Sequence, residues 1–301
     1  RYKPTQTMAP LKEDESLSLR GNVLLHPSFV TPHEFPVFIR ATAMRVVAGT
    51  LLLSGLFVGC AALTVDDATK TLSCALSCAT SIVAFYHYTK LVSIREQGGT
   101  RITLSKPGDI PMGQPPALKL AWQELAADAV RYSDWIVTLT PLIVDLHILN
   151  GQQTALFPIA WSPVLCILMV VFGAFTRIGT DELIPPSTAT KSNDGVVRVA
   201  GLISFVLSAV CLFLVLYNLL YGSKNDQSNG WAAAFSLPWV GYGIVAMVAI
   251  VWRQFQPDGY PEALSVFKDV GFGALDVWSK AVFAFYIGSN ALGADGLLFG
   301  F

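Results

Sequence analysis

The chain has 301 residues, 53% hydrophobic and 14% charged, and its mean hydropathy is +0.52. That composition is too apolar for an ordinary soluble domain and reads as an integral membrane protein. A formal net charge of −1, with no basic stripe, zinc-finger spacing or glycine-rich phosphate loop, argues against a nucleic-acid partner.

Residues 1–37 are polar, with an acidic run at Glu13, Asp14 and Glu15 and a proline-rich stretch from Thr31 to Pro36. They carry no cleavable signal pattern, so the first apolar helix is expected to direct insertion. A bilayer crossing needs about 20 mainly apolar residues. Seven windows qualify: 38–64, 69–94, 118–149, 154–176, 197–222, 231–253 and 263–293. The expected fold class is an all-α membrane protein, a seven-transmembrane-helix bundle. It forms one domain over 38–296, between the polar segment 1–37 and a C-terminal end at 297–301.

Short links are expected at 66–69, 150–153 and 222–230, and longer ones on the opposite face at 96–117, 177–196 and 254–262. In the first long link, Thr100 to Leu104 predicts a strand of a small hairpin. No internal repeat supports a transporter built from two matching halves. Cys60, Cys74, Cys78, Cys166 and Cys211 all fall in the spans, where thiols act as small packing residues more often than as disulfides. Cys74 and Cys78 stand one turn apart, a weak metal signal, and no metal site is expected. Most lysines and arginines lie toward the N-terminal face, Arg40, Arg45, Arg95 and Lys268 among them, while the other face has Lys70 and Lys224. Read literally, the positive-inside rule puts the N-terminus in the cytoplasm.

The ionisable residues inside the spans carry the functional signal, because charge in a bilayer-length helix is costly and marks function by default. The second span contains His87 in Ala-Phe-Tyr-His-Tyr; taken alone, it reads as a packing histidine. The third runs Arg131-Tyr-Ser-Asp134-Trp135-Ile-Val-Thr138-Leu-Thr140-Pro141-Leu-Ile-Val-Asp145. At 100° per residue, Asp145 lies about 20° from the face of Asp134 and about 16 Å farther along the axis. Arg131 and Thr138 flank Asp134 on the same side. Two carboxylates on one stripe, half a membrane apart, have the layout of a proton relay. The competing reading is an interfacial Arg131–Asp134 pair with Asp145 reaching the far surface. The sixth span adds Trp239 and Tyr242, which alone read as core aromatics. In the last span Asp276 precedes Lys280 by four residues, so the two share a face as an ion pair or as a reactive buried amine.

Together these residues resemble the microbial (type 1) rhodopsins over all seven spans. In that family a lysine of the last helix binds all-trans retinal as a protonated Schiff base. The resemblance therefore implies retinal in the core, covalently on Lys280, with Asp276 as second counterion. The Arg-Tyr-x-Asp-Trp-x-x-Thr pattern with a second carboxylate eleven residues on resembles the proton pumps. It implies Asp134 as primary counterion and proton acceptor, Thr138 in its hydrogen-bond network, Arg131 on the release side and Asp145 as proton donor. Trp135, Trp239 and Tyr242 resemble the residues of the retinal pocket, with Tyr242 placed to bond Asp276. His87 is similar to the histidine of proteorhodopsins and xanthorhodopsins that bonds the acceptor carboxylate.

Three departures stand out. Gly243 replaces a helix 6 proline, Pro141 comes one residue late, and the donor is Asp145 where proteorhodopsins usually have glutamate. Asp-Thr-Asp also occurs in some light-gated cation channels of algae. The carboxylate pair that releases protons in bacteriorhodopsin is not evident: Lys268 falls near one expected position, and Asp258, Glu262 and Asp269 are the candidate substitutes. The implied function is a light-driven proton pump, an ion transporter and not an enzyme, outward in the family topology. The alternative is a light-gated cation channel or photosensor; a proton-coupled transporter without chromophore is the reading from another class. The expected partners are protons, the bilayer of the plasma membrane and copies of the chain in a homo-oligomer.

Overall fold

The computed structural model describes residues 35–104, 116–149, 156–180, 191–221, 226–255 and 262–293. Among the described residues there are seven helices and no strand: α1 (Phe35–Thr64), α2 (Ala68–Leu104), α3 (Pro116–Leu149), α4 (Leu156–Thr180), α5 (Lys191–Tyr221), α6 (Asp226–Phe255) and α7 (262–291). Helices suit this composition because hydrocarbon offers the backbone no hydrogen-bond partner, so each span must satisfy its own peptide groups. Among the described residues four helices are long and apolar enough to cross a membrane, within Phe38–Thr64, Ala68–Glu96, Val199–Leu220 and Leu264–Ala291. The chain is an integral, multi-pass membrane protein. Charge lowers the hydropathy of α3, since it carries Asp128, Arg131, Asp134 and Asp145, yet all four are buried.

The predicted spans match the helices in number and order, and the helices run past the apolar windows. α5 begins at Lys191 and α6 at Asp226, so 226–230 of an expected link is helical. The predicted strand at 100–104 is wrong: these residues are the last turn of α2. A helix closes its hydrogen bonds locally, whereas a strand there needs a partner strand, and none occurs among the described residues. Residues 1–34, the links at 150–153 and 181–190, and the end at 297–301 lie outside the described residues.

Each helix packs on its neighbours in the chain, and α7 also packs against α1 and α2, closing the bundle. At that closure Gly288 of α7 lies against Phe57 of α1: a Cβ on Gly288 would stand 2.6 Å from the Phe57 ring. Only hydrogen fits there without a shift. Two apolar clusters fill the interior. One joins Trp135, Leu139, Leu142, Leu146, Trp239 and Phe283 across α3, α6 and α7. The other joins Met44, Leu51, Ala84, Tyr88 and Ala281 across α1, α2 and α7. Large apolar side chains of α5, such as Leu202, Val206 and Phe213, point outward, as a lipid-facing helix requires.

Candidate functional site

α7 is not a uniform α-helix. Glu262–Asp276 and Phe283–Ala291 are α-helical, and Val277–Val282 between them is wound as a π-helix. Such single π turns recur at functional sites, and this one holds Lys280. The lysine is 1% exposed. Its Nζ donates to Asp134 Oδ2 on α3 at 2.6 Å and lies 3.1 Å from Asp276 Oδ1. A lone ammonium in such a place would be very costly, and two carboxylates compensate it. The i, i+4 partnership expected of Asp276 and Lys280 is present, and α3 supplies the nearer oxygen.

Asp276 is itself held. Tyr242 of α6 donates to its Oδ1 at 2.5 Å and Tyr88 of α2 donates to its Oδ2 at 2.6 Å. The Tyr242 hydroxyl also lies 3.1 Å from Ser279 Oγ. The predicted Tyr242–Asp276 bond is therefore present, and Tyr88 is a second phenol that sequence reasoning missed. Its signal was available, because it follows His87 and an interior tyrosine hydroxyl needs a partner. Trp135, Trp239 and Tyr242 lie in the apolar cluster beside this centre, with Trp135 edge-on to Tyr242 at 5.0 Å and to Phe272 at 5.1 Å between ring centroids.

Two predicted partners of Asp134 stand differently from expectation. Thr138 donates to the main-chain carbonyl of Asp134 at 2.8 Å, so its hydroxyl stays within its own helix instead of reaching the carboxylate. His87 Nδ1 lies 3.4 Å from Asp134 Oδ1 but 2.9 Å from the Val83 carbonyl. At those distances the proton on Nδ1 belongs to the carbonyl, and the carboxylate is a longer, electrostatic contact.

Asp145 is 0% exposed, which excludes the reading in which it reaches the far surface. Its partners among the described residues are two hydroxyls of α2: Ser73 donates to Oδ1, and Ser77 donates to Oδ2 at 2.5 Å. The serines are one turn apart, so both lie on the face of α2 turned to α3. Leu139, Leu142 and Leu146 line the interior along the same stretch of α3.

Toward the N-terminal face lies a third arrangement. Asp269 of α7 accepts from Arg40 Nε of α1 at 2.8 Å, from an Arg95 nitrogen of α2 at 3.1 Å and from an Arg131 nitrogen of α3 at 2.8 Å. Asp128 accepts from Arg131 at 3.0 Å and from Lys268 at 3.0 and 3.1 Å. Arg131 thus pairs with Asp128 and Asp269, not with Asp134, and its guanidinium carbon stacks 4.9 Å from the Phe272 ring. Arg40, Arg95 and Lys268 are buried in ion pairs and Arg45 pairs with Glu96, so these cations of the N-terminal face also join one helix to another.

All five cysteines are free thiols, and among the described residues no group of three or more His, Cys, Asp or Glu is placed to hold a metal ion. The arrangement offers instead a primary amine for a covalent adduct, a carboxylate in proton-transfer contact with it, and a second carboxylate deeper along the same helix.

No protein-family model matches the chain, and no curated protein matches it. Solved structures do. Xanthorhodopsin, described as a light-driven ion pump with dual chromophore, is 20% identical with a TM-score of 0.61, covering 88% of this chain and 96% of that one. A blue light-absorbing proteorhodopsin from Med12 is 16% identical with a TM-score of 0.57, covering 84% and 98%. Halorhodopsin, a light-driven chloride pump, is 16% identical with a TM-score of 0.56, covering 85% and 96%. At these identities the likeness is one of fold: the bundle is that of the microbial rhodopsins.

Proposed function

We propose that this chain, which has the fold of the microbial rhodopsins, is a member of that family and a light-driven proton pump carrying all-trans retinal on Lys280. The observation that carries the reading is the Lys280 amine, buried between Asp134 at 2.6 Å and Asp276 at 3.1 Å. The residues present fit the cofactor. A buried amine flanked by two carboxylates suits a nitrogen that stays cationic after condensation with an aldehyde, and Trp135, Trp239 and Tyr242 offer aromatic surface to a polyene. When bound, retinal supplies light absorption and an isomerisation that displaces the proton on the nitrogen.

The chain does the rest. Asp134, in direct contact with the Lys280 nitrogen, is the proton acceptor. Asp276, fixed by two phenols, keeps its charge and position while Asp134 changes state. Asp145, set between two serine hydroxyls, is the donor that restores the proton from the other side: when protonated it donates to one hydroxyl and accepts from the other, so the serines hold the acid as well as the carboxylate without a counter-charge. Arg131 and its carboxylates occupy the release side, and His87 acts on Asp134 electrostatically. In the family topology transport is outward, and the bilayer, protons and further copies of the chain are its partners.

The test is to add all-trans retinal to the purified protein and then clamp the voltage across a membrane containing it. A visible absorption band that is missing in Lys280→Ala supports retinal on Lys280, and no band in the unmodified protein sinks that assignment. A photocurrent of one direction at every voltage supports a pump; a current that reverses with voltage makes the protein a channel.

A further inference from the structure

We infer that Asp269 is a positioning residue for Arg131: it holds the Arg131 charge turned toward the start of α7 and away from Asp134. The inference rests on the retinal-pump reading for its functional meaning and on geometry alone for its structural content. Three guanidinium groups from three helices, Arg40, Arg95 and Arg131, meet on this one carboxylate at 2.8 to 3.1 Å. Asp269 is 2% exposed and Arg131 is 2% exposed. Charges so buried interact strongly, and like charges held this close repel unless an anion lies between them. Asp269 lies between all three guanidinium groups.

Arg131 is the member of the set nearest the reaction centre in sequence, one turn before Asp134 on α3. Both of its terminal nitrogens are engaged at the far side, one on Asp128 at 3.0 Å and one on Asp269 at 2.8 Å, and the Phe272 ring packs on the guanidinium at 4.9 Å. Asp128 stands three residues before Arg131 on the same helix and reaches α7 through the Lys268 ammonium at 3.0 and 3.1 Å, so it cannot tie the guanidinium to α7 directly. Asp269 can, because it sits on the helix that also carries Asp276 and Lys280. Through Asp269 the position of one positive charge on α3 is tied to the helix bearing the reactive nitrogen.

Neutralising Asp269 leaves Arg131 with Asp128 and with repulsion from Arg40 and Arg95. Repelled by those guanidinium groups, Arg131 is drawn to the next carboxylate on its own helix, Asp134, three residues on. A positive charge arriving there opposes the counter-charge on the Lys280 nitrogen, and a weaker counter-charge lowers the excitation energy of a cationic polyene.

The experiment uses the full chain reconstituted with all-trans retinal, read in the dark at one fixed pH. Asp269→Asn is expected to red-shift the visible band, Asp269→Glu to restore the wild-type band, and the shift to vanish when Asp269→Asn is made in an Arg131→Gln background, because the two residues act as one unit. An unshifted band in Asp269→Asn, or shifts that add in the double variant, overturns the inference. Should Asp269→Asn fail to fold, solid-state NMR on the unmodified chain decides it: dipolar contact between the Arg131 guanidinium nitrogens and Asp269 Cγ is expected, and contact with Asp134 Cγ in its place overturns it. That contact is read with or without retinal. A wild-type chain that forms no pigment therefore defeats the pump reading and leaves the Asp269 result standing on its own.

Discussion

Asp134 and Asp145 lie on one stripe of α3, both buried, and their surroundings are opposite in kind. Asp134 faces an ammonium at 2.6 Å, an imidazole at 3.4 Å and a second carboxylate that shares the same ammonium. Asp145 faces two serine hydroxyls. A carboxylate in an ion pair exchanges its proton against the charge of its partner, so its state is coupled to whatever happens at Lys280. Among the described residues the Asp145 carboxyl meets hydroxyls and no charged partner, and it can keep or yield a proton independently of the centre about 16 Å away. The same residue type at two heights of one helix is thus fitted for two roles by its neighbours.

If that contrast is right, the largest effect belongs to the charge at the centre. Lys280→Ala should abolish both the visible band and light-driven transport, as read by absorbance after retinal addition and by photocurrent. Asp134→Asn comes next. It leaves Lys280 with Asp276 alone, and breaking a buried pair costs about 3–5 kcal/mol. The pigment should red-shift and transport should fall by at least about 100-fold, the scale of a lost proton acceptor. Retained pumping in that variant would break the contrast at its charged end.

Asp145→Asn should act on rate and not on colour. The band should stay in place, because no charge near Lys280 changes, while recovery of the resting pigment after a flash slows by about 100-fold if the donor supplies general-acid catalysis. A shifted band would mean that the two carboxylates are not independent. The smallest effects belong to Ser73→Ala and Ser77→Ala. Each removes one hydrogen bond to Asp145, worth about 0.5–1.5 kcal/mol. Flash recovery should therefore change by up to roughly tenfold with the dark spectrum untouched.

Much of this site was legible in the chain before any coordinates. Helical spacing alone places Asp134 and Asp145 on one stripe and Asp276 beside Lys280, because contacts within a helix depend only on its period. What stayed hidden depends on which helices meet. Ser73 and Ser77 look like ordinary small residues of α2 until α3 brings Asp145 against them. Asp269 and Asp128 look like end-of-helix charges until Arg40, Arg95, Arg131 and Lys268 converge on them. Tyr88 is legible too, since an interior tyrosine hydroxyl beside His87 needs a hydrogen-bond partner. The strand expected at Thr100–Leu104 was a local β propensity overruled by the continuation of α2, with no partner strand among the described residues. The π turn at Val277–Val282 has no sequence signature that its residues display.

The most direct test of the account is the light-induced pH change in an unbuffered suspension of cells making the protein with retinal, with and without a protonophore. The account predicts acidification of the medium that the protonophore abolishes. A pigmented sample that produces no pH change in light would contradict it.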